Sequence, residues 1–265
     1  MVEDGSDEPV AQLIAACGDA AIAYRAIAGA APGIVFLPGY RSVMTGEKAS
    51  ALAAFARARG LALVRFDYRG HGQSSGRFED LVLSDWLDDA LGVLDRLTRG
   101  PQLLVGSSMG GYLALLAALA RPDRVAGIVT VAAAADFTER LLLARLDPSE
   151  RAEFARSGLR REPSLYEEDG YPFTWRLVED GRRHLLLDRP IDLACPVRLL
   201  HGMQDPDVPW AISLEIADRL RADDVRVHLV KDGDHRLSRP ADLRLLTDTV
   251  AALADQVSRS IQTGT

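Results

Sequence analysis

The sequence of 265 residues contains very little cysteine, since Cys17 and Cys195 are the only two. So few thiols exclude a disulfide framework and a metal site built from several cysteines. Long apolar runs are missing too, because the longest, 112–120 and 125–135, fall short of the ~20 residues that a membrane-spanning helix needs. Hydrophobic residues nevertheless make up 48% of the chain and charged residues 26%. We therefore expect a folded globular protein without a membrane span.

Positive charge is also scarce, with 31 lysines and arginines against 38 aspartates and glutamates, for a net charge of −7. Such a chain does not attract phosphate backbones or anionic lipids over long distances, so nucleic acid is not an expected partner. The first residues, MVEDGSDEPV, lack the basic start and apolar core of a signal peptide and the arginines of a transit peptide. These features predict a cytoplasmic protein.

Short apolar runs alternate with helical patterns along most of the chain, and most runs are rich in Val, Ile and Leu without alternation. Such runs are typical of strands buried on both faces of a parallel sheet. The predicted strands cover 21–27, 33–38, 61–66, 102–107, 125–131, 196–202 and 225–230. The predicted helices cover 46–59, 84–98, 109–121, 210–222 and 240–258. This order predicts βαβ units in an α/β fold, and the first run could instead form an antiparallel hairpin with 11–16 at the sheet edge.

The segment 136–190 interrupts this alternation, and we expect no strand in it. It is richer in charged residues than the rest of the chain, yet it carries apolar clusters. An insertion of this kind predicts a helical cap over a core formed by 1–135 and 191–265. A polar surface excursion with a small core of its own is the alternative.

The stretch LLVGSSMGGYLALL carries the pattern Gly-x-Ser-x-Gly, from Gly106 through Ser108 to Gly110, between a predicted strand and a predicted helix. In this context the central serine lies on a sharp turn that exposes its hydroxyl. The flanking glycines lack Cβ atoms, so the strand and the helix can approach each other closely. We therefore predict Ser108 as a nucleophile, and a glycine- and serine-rich turn without chemistry is the alternative.

A nucleophilic serine needs a general base, and the sequence offers five histidines. His235 follows the last predicted strand, at the carboxyl edge of the sheet where such sites form. His71 precedes the serine, which does not agree with the chain order serine, acid, histidine. We therefore predict His235 as the base. We expect His184 to be solvated, and His201 and His228 to be packed in the core.

The acid that orients the base should follow the preceding strand, 196–202, which runs into MQDPDVP. Asp205 and Asp207 both lie in this loop. We favour Asp205, because Asp207 could instead cap the helix that begins near Pro209.

An oxyanion hole needs two backbone amides. One is expected from the residue after the nucleophile, Met109, and the other from the loop FLPGYRSVMTG. Gly39 permits a tight turn in this loop, so we predict the Tyr40 amide as the second donor.

The stretches LPGY, DYRGHGQS, GSSMGG, HGMQDPDVP and GDH together resemble the α/β-hydrolase superfamily. The resemblance implies a mostly parallel central sheet flanked by helices. FLPGYRSVMTGEKA, FDYRGHGQSSG and VGSSMGG are further similar to the mitochondrial palmitoyl-protein thioesterase and acyl-glucuronide esterase family. That family deacylates S-palmitoyl cysteines and hydrolyses acyl glucuronides, and by motif its nucleophile, acid and base fall on Ser108, Asp205 and His235. The missing transit peptide departs from this family.

These residues predict a serine hydrolase that cleaves carboxylic esters or thioesters through an acyl-enzyme, with no metal and no organic cofactor. The expected partner is a small-molecule ester or thioester, or an S-acylated protein. A carbon–carbon bond hydrolase or an acyltransferase would use the same triad. A non-catalytic binding protein on the same fold is a further alternative.

Selectivity is expected to depend on the segment 136–190, because it is the large insertion that could cover the catalytic loops. Its leucines and aromatic residues offer apolar area for an acyl chain, and its arginines could hold an anionic group. The residues that we predict as substrate contacts are Leu142, Tyr166, Phe173 and Trp175.

Overall fold

The computed structural model describes residues 10–14, 20–163 and 168–263, so Cys17 and Tyr166 lie outside the described residues. Ten strands are found within these ranges. They are β1 (Ala11–Ile14), β2 (Ala21–Ile27), β3 (Ala30–Leu37), β4 (Leu61–Phe66), β5 (Gln102–Ser107), β6 (Val125–Val131), β7 (Leu159–Glu162), β8 (Tyr171–Thr174), β9 (Val197–Gly202) and β10 (Val225–Val230). Eight of them form one central sheet in the order β1-β2-β4-β3-β5-β6-β9-β10.

The central sheet is mostly parallel, as the sequence predicts. The neighbouring pairs from β4 to β10 run parallel, whereas β2 runs antiparallel to both β1 and β4. The alternative of an antiparallel hairpin at the edge of the sheet is therefore the one observed, with 11–14 paired to β2. All seven predicted strands are present, and the largest difference is the start of β3, which begins three residues early because it also pairs with β4 at Ala30.

Helices cover both faces of the sheet. They are α1 (Glu47–Arg59), α2 (Leu83–Leu97), α3 (Met109–Ala120), α4 (Pro148–Ser157), α5 (Trp175–Gly181), α6 (Ala211–Arg219) and α7 (Pro240–Thr263). Successive strand residues point to opposite faces. Ile34 and Phe36 of β3 accordingly pack with α1 and α7, and Val35 and Leu37 pack with α2, α3 and α6. In the described part of the chain, no helix is both long and apolar enough to cross a membrane.

Loops that follow three of the parallel strands meet at the carboxyl edge of the sheet. β5 ends at Ser107, and Val230 at the end of β10 is paired with Gly202 at the end of β9. A Cβ atom on Gly202 would lie only 2.3 Å from the carbonyl oxygen of Gly233. Because no side chain separates the loops after β9 and β10, the Gln204 N–H donates to the Gly233 carbonyl at 2.8 Å.

The segment 136–190 is not purely helical, so our expectation of no strand in it is wrong. β7 pairs antiparallel with β8, next to α4, α5 and short 3-10 and π turns. The sequence of β7, LRRE, has no alternation of apolar and polar residues. Arg160 instead forms ion pairs with Glu162 and Glu150. Charge pairing on a small sheet leaves no apolar pattern for sequence analysis to detect.

This segment also has a small apolar core. Its buried members are Leu142, Leu143, Leu146, Phe154 and Val178, and Phe173 and Trp175 pack against them. The Trp175 ring meets the Phe154 ring edge-on, with 5.3 Å between the ring centroids. Part of the apolar area that we predicted for substrate therefore serves the packing of the segment itself.

Polar contacts join the two ends of this segment to each other and hold its second end against α2. The buried Asp136 carboxylate accepts the N–H groups of Leu186 and Leu187, each at 2.9 Å. His184 Nε2 lies 2.7 Å from Ser84 Oγ of α2, and the His184 side chain is only 16% exposed. Our expectation of a solvated His184 is therefore wrong, because α2 covers a face that the neighbouring arginines in the sequence do not reveal.

Candidate active site

Ser108 lies on the turn between β5 and α3, at φ 55° and ψ −119°. A positive φ is unfavourable for a residue with a Cβ atom, so the surroundings must hold this conformation. A Cβ atom on Gly106 would lie 2.2 Å from the Gly110 carbonyl oxygen, and one on Gly110 would lie 2.1 Å from the Leu37 carbonyl oxygen. Both glycines are therefore required by close approach of the backbone, and the turn projects the serine at the start of α3.

His235 lies between the predicted nucleophile and the predicted acid. Its Nε2 is 3.1 Å from Ser108 Oγ, and its Nδ1 is 2.7 Å from Asp205 Oδ2. The carboxylate fixes the tautomer, because Nδ1 must carry the proton that it donates to Asp205. Nε2 then has a free lone pair facing the serine hydroxyl. With the hydrogen bonds arranged in this order, carboxylate to imidazole to hydroxyl, the imidazole can accept a proton from serine.

Asp205 has no exposed side-chain surface and four hydrogen bonds. Its Oδ1 accepts the N–H groups of Asp207 and Val208 at 2.8 and 2.9 Å, and its Oδ2 faces two histidines. Burial alone would raise the pKa of Asp205, but hydrogen bonds from His201 and His235 and from the Val208 N–H lower this pKa well below its ordinary value. The carboxylate is therefore charged at neutral pH.

Asp207, the alternative acid, does not contact the base at hydrogen-bonding distance in the structure. It contributes its backbone N–H to Asp205, and it does not cap α6, whose preceding residue is Trp210 with no side-chain cap. Ligand atoms of Asp205, Asp207 and His235 lie within 4.8 Å of one another, as a metal site would require. The 2.7 Å bond between Asp205 and His235 already joins two of these groups.

Of the two histidines that we expected in the core, one is buried and the other is not. His228 is exposed on β10. This strand lies at the edge of the sheet, and among the described residues it pairs with β9 alone. His201 is fully buried, as expected, but its Nε2 lies 3.1 Å from Asp205 Oδ2, a contact that we did not foresee. The four-residue spacing from His201 to Asp205 was the available signal.

Tyr40 and Met109, whose amides we predicted as an oxyanion hole, both line the cavity beside Ser108. A Cβ atom on Gly39 would lie 3.3 Å from Ser108 Cβ, so the backbone before Tyr40 closely approaches the serine. The Tyr40 ring stacks on Phe173 with 4.9 Å between centroids, and its hydroxyl donates to the Pro172 carbonyl. The loop that carries Tyr40 is thereby fixed to β8.

The cavity above Ser108 and His235 has a volume of about 450 Å³. Of the predicted substrate contacts, Leu142 and Phe173 line it, whereas Trp175 packs on Phe154 instead. Tyr166 is not among the described residues. The apolar part of the lining also includes Val43, Ala134, Phe137, Leu141 and Val208.

Charged side chains line the other part of this cavity. The cationic ones are Arg41, Lys48, Arg145 and Arg236, and the acidic ones are Glu47, Glu162 and Asp207. Lys48 Nζ donates to the Arg236 carbonyl at 2.5 Å, next to His235 in the sequence. Burial lowers the pKa of Lys48 to about 8. The cavity therefore combines an apolar wall with a charged rim.

Comparison with known proteins agrees with this geometry. The pattern of the Alpha/beta hydrolase family matches residues 34–244. The chain belongs to this family. It is 44% identical over 238 residues to the palmitoyl-protein thioesterase ABHD10, mitochondrial, of Homo sapiens, a match that covers 89% of this chain and 78% of the relative. The chain is therefore an enzyme, a hydrolase of the α/β-hydrolase fold.

Two solved structures are also similar. The alpha/beta hydrolase domain-containing protein 10 from mouse has a TM-score of 0.88 at 41% identity, covering 94% of this chain and 99% of that chain. A protein of Agrobacterium vitis S4 has a TM-score of 0.89 at 41% identity, covering 94% of this chain and 100% of that chain. Both likenesses extend over nearly all of each chain.

The relatives contradict our expectation of a cytoplasmic location. The ABHD10 proteins of Homo sapiens, Pongo abelii and Bos taurus, which are 43–44% identical to this chain, are all named mitochondrial. The acidic, polar start of the chain was therefore no sound basis for that prediction.

Proposed function

We propose that this chain is a serine hydrolase in which Ser108 is the nucleophile, His235 the general base and Asp205 the acid that orients it. The observation that carries the proposal is the position of His235, with Nδ1 at 2.7 Å from the carboxylate and Nε2 at 3.1 Å from the serine oxygen. The ionised, fully buried Asp205 stabilises the imidazolium that forms when His235 takes a proton.

In the first half of the reaction, Ser108 Oγ attacks the substrate carbonyl carbon while its proton moves to His235 Nε2. The tetrahedral oxyanion accepts hydrogen bonds from the Met109 and Tyr40 amides, at the positive end of the α3 dipole. The carbon–oxygen or carbon–sulfur bond then breaks, and the leaving alcohol or thiol departs with the proton from His235. The acyl group remains on Ser108.

In the second half, water attacks the acyl-Ser108 carbonyl and gives a proton to His235. Collapse of the second tetrahedral intermediate releases the carboxylic acid and returns the proton to Ser108 Oγ. Every proton in this cycle moves through His235 Nε2, so the reaction needs no group beyond the side chains and amides named.

The substrate class that we propose is a thioester or oxyester with an apolar acyl chain, including S-acylated protein. The names of the ABHD10 relatives support a thioester, and the apolar wall of Phe137, Leu141, Leu142 and Phe173 supports an acyl chain. We further propose that 136–190 acts as a cap on the core formed by 1–135 and 191–265. All four residues of that wall belong to this segment.

A panel of substrates tests this function. The purified protein and a Ser108→Ala variant are each assayed with p-nitrophenyl esters of increasing chain length, matching acyl thioesters and an acyl glucuronide. We expect turnover of esters and thioesters by the wild type, with loss in the variant and with acyl-Ser108 visible by rapid-quench mass spectrometry. Adding an alcohol acceptor distinguishes acyl transfer from hydrolysis, since a transferase would form the new ester in preference to the acid. Turnover that survives Ser108→Ala would contradict the proposal.

A further inference from the structure

A second histidine contacts the acid of the candidate triad. His201, near the end of β9, has no exposed surface, and its Nε2 lies 3.1 Å from Asp205 Oδ2 and 3.0 Å from the Val208 carbonyl oxygen. Oδ2 is the same oxygen that accepts the bond from His235 Nδ1. One carboxylate oxygen thus joins two imidazoles, of which one faces the serine and the other faces the core.

The partners of His201 fix the protonation of its Nε2. Its Nε2 faces two acceptors, so this nitrogen must carry a proton. Its Nδ1 lies 2.7 Å from the hydroxyl of Ser213 on α6. Both ring nitrogens are therefore engaged, and the Nε2–H donor is aimed at Asp205.

A packed core histidine would need no such arrangement. Asp205 already accepts two backbone N–H groups on Oδ1, which hold that oxygen in place. Oδ2, which bears the bond to the base, receives no backbone donor in the described residues. His201 supplies the second bond to this oxygen, and since it comes from a strand it resists rotation of the carboxylate away from His235.

We propose that His201 is a positioning residue of the triad: it holds Asp205 Oδ2 charged and in line with His235 Nδ1, and Ser213 holds the other side of its ring. This inference rests on the proposed function of Ser108, His235 and Asp205. Hydrogen bonds to a buried charge are among the stronger ones in proteins, so loss of this bond should slow the chemical step.

The test is a double-mutant cycle between His201 and Asp205. His201→Leu should lower kcat about 10- to 100-fold with little change in KM, because no part of His201 faces the cavity. In an Asp205→Asn background the same substitution should have almost no further effect on kcat, since the charge that it serves has been removed. His201→Gln, which keeps an N–H donor, should recover part of the loss. His228→Leu, a substitution of the exposed histidine on β10, serves as the matched control and should keep wild-type kinetics.

Circular dichroism and urea denaturation of each variant correct every rate for the fraction of folded enzyme. Equal losses from His201→Leu in the wild-type and Asp205→Asn backgrounds would show that His201 merely packs the core and would overturn the inference. Wild-type kcat in His201→Leu would overturn it as well. If Ser108→Ala or Asp205→Asn kept wild-type activity, the proposed function itself would fail, and this outcome is distinct from the other two.

Discussion

Two clusters of this protein contain the same three residue types, a serine, a histidine and an aspartate, but their hydrogen bonds run in different orders. In the candidate active site, the histidine lies in the middle. His235 donates to Asp205 through Nδ1 and faces Ser108 through Nε2. The serine proton therefore has an acceptor whose own charge, once it forms, is balanced by the carboxylate behind it.

In the second cluster, which joins α2 to the segment 136–190, the serine lies in the middle. Ser84 Oγ donates to Asp180 Oδ1 at 2.7 Å, and His184 Nε2 lies 2.7 Å from the same hydroxyl oxygen. A hydroxyl has one proton, so His184 Nε2 must be a donor here rather than a base. Asp180 Oδ2 also accepts the Ser84 backbone N–H. This cluster stabilises a junction and has no means of activating its serine.

The largest effect that separates the two clusters is expected from their serines. Ser108→Ala should lower kcat/KM for a short p-nitrophenyl ester by a factor on the order of 10⁴ or more with folding intact, because the role that we propose for Ser108 is chemical. Ser84→Ala should leave kcat/KM nearly unchanged when corrected for the folded fraction. Steady-state kinetics on both purified variants, with circular dichroism as the folding control, check this contrast. Similar losses in the two variants would break it.

The next largest effect is expected from the carboxylates. Asp205→Asn should lower kcat about 10³- to 10⁴-fold, since an amide in place of the carboxylate favours the wrong tautomer of His235. Asp207→Asn is the matched control from the same loop, and it should cost far less because Asp207 contributes a backbone N–H to the site. If the two variants lost equal activity, the acid would have to be reassigned.

A third effect concerns folding rather than chemistry. Ser84→Ala removes the hydroxyl that joins Asp180 to His184. His184 Nε2 loses this partner, whereas Asp180 loses one hydrogen bond and keeps the Ser84 N–H and the Arg183 guanidinium. We expect the free energy of unfolding to fall by about 1–3 kcal/mol, measured by urea denaturation. Ser149→Ala, at an exposed position of α4, should change it by less than about 0.5 kcal/mol. An unchanged free energy of unfolding in Ser84→Ala would mean that the hydrogen bonds of the Ser84 hydroxyl do not stabilise the fold.

A smaller effect should distinguish two aromatic residues of the segment 136–190. Phe173 lines the cavity and stacks on Tyr40, whereas Trp175 packs on Phe154 within the segment. Each methylene of an acyl chain buried against Phe173 contributes about 0.8 kcal/mol, or roughly fourfold in kcat/KM. Phe173→Ala should therefore flatten the dependence of kcat/KM on chain length, and Trp175→Ala should leave its slope as in the wild type. The same slope in all three proteins would place chain selectivity elsewhere.

The smallest effect is expected in the pH dependence of stability at the second cluster. Burial lowers the pKa of His184 below its ordinary value. On acidification the unfolded chain therefore takes up a proton first, and this histidine makes stability fall as pH drops below about 6.5. Burial lowers the pKa of His71 to about 4, which adds a loss of the same sign.

Urea denaturation at about pH 7 and about pH 5 measures this contribution. His184→Gln should lose less stability than the wild type between the two values, because the variant keeps the His71 contribution and lacks that of His184. A larger loss in the variant would reverse the sign and contradict the assignment of His184 as a buried neutral donor.

The sequence predicted the positions of the sheet strands and the three residues that meet at its carboxyl edge, since both follow from local patterns. Buried parallel strands are apolar throughout, and Gly106 and Gly110 mark a turn that needs close backbone approach. The second cluster was not predictable, because Ser84 and His184 are distant in sequence and sit among charged residues typical of a solvated surface. The contact from His201 to Asp205 was missed for a related reason: an apolar strand indicates burial but not the partner of a buried polar side chain.

The most direct test of the central claim is to label the protein with a fluorophosphonate and to identify the labelled residue by peptide mass spectrometry. Under the proposed function, the order of hydrogen bonds activates Ser108 and not Ser84. We therefore expect the label on Ser108 alone, with loss of labelling in His235→Ala and full labelling in His184→Gln. Labelling of Ser84, or labelling of Ser108 that persists at the wild-type rate in His235→Ala, would contradict the account.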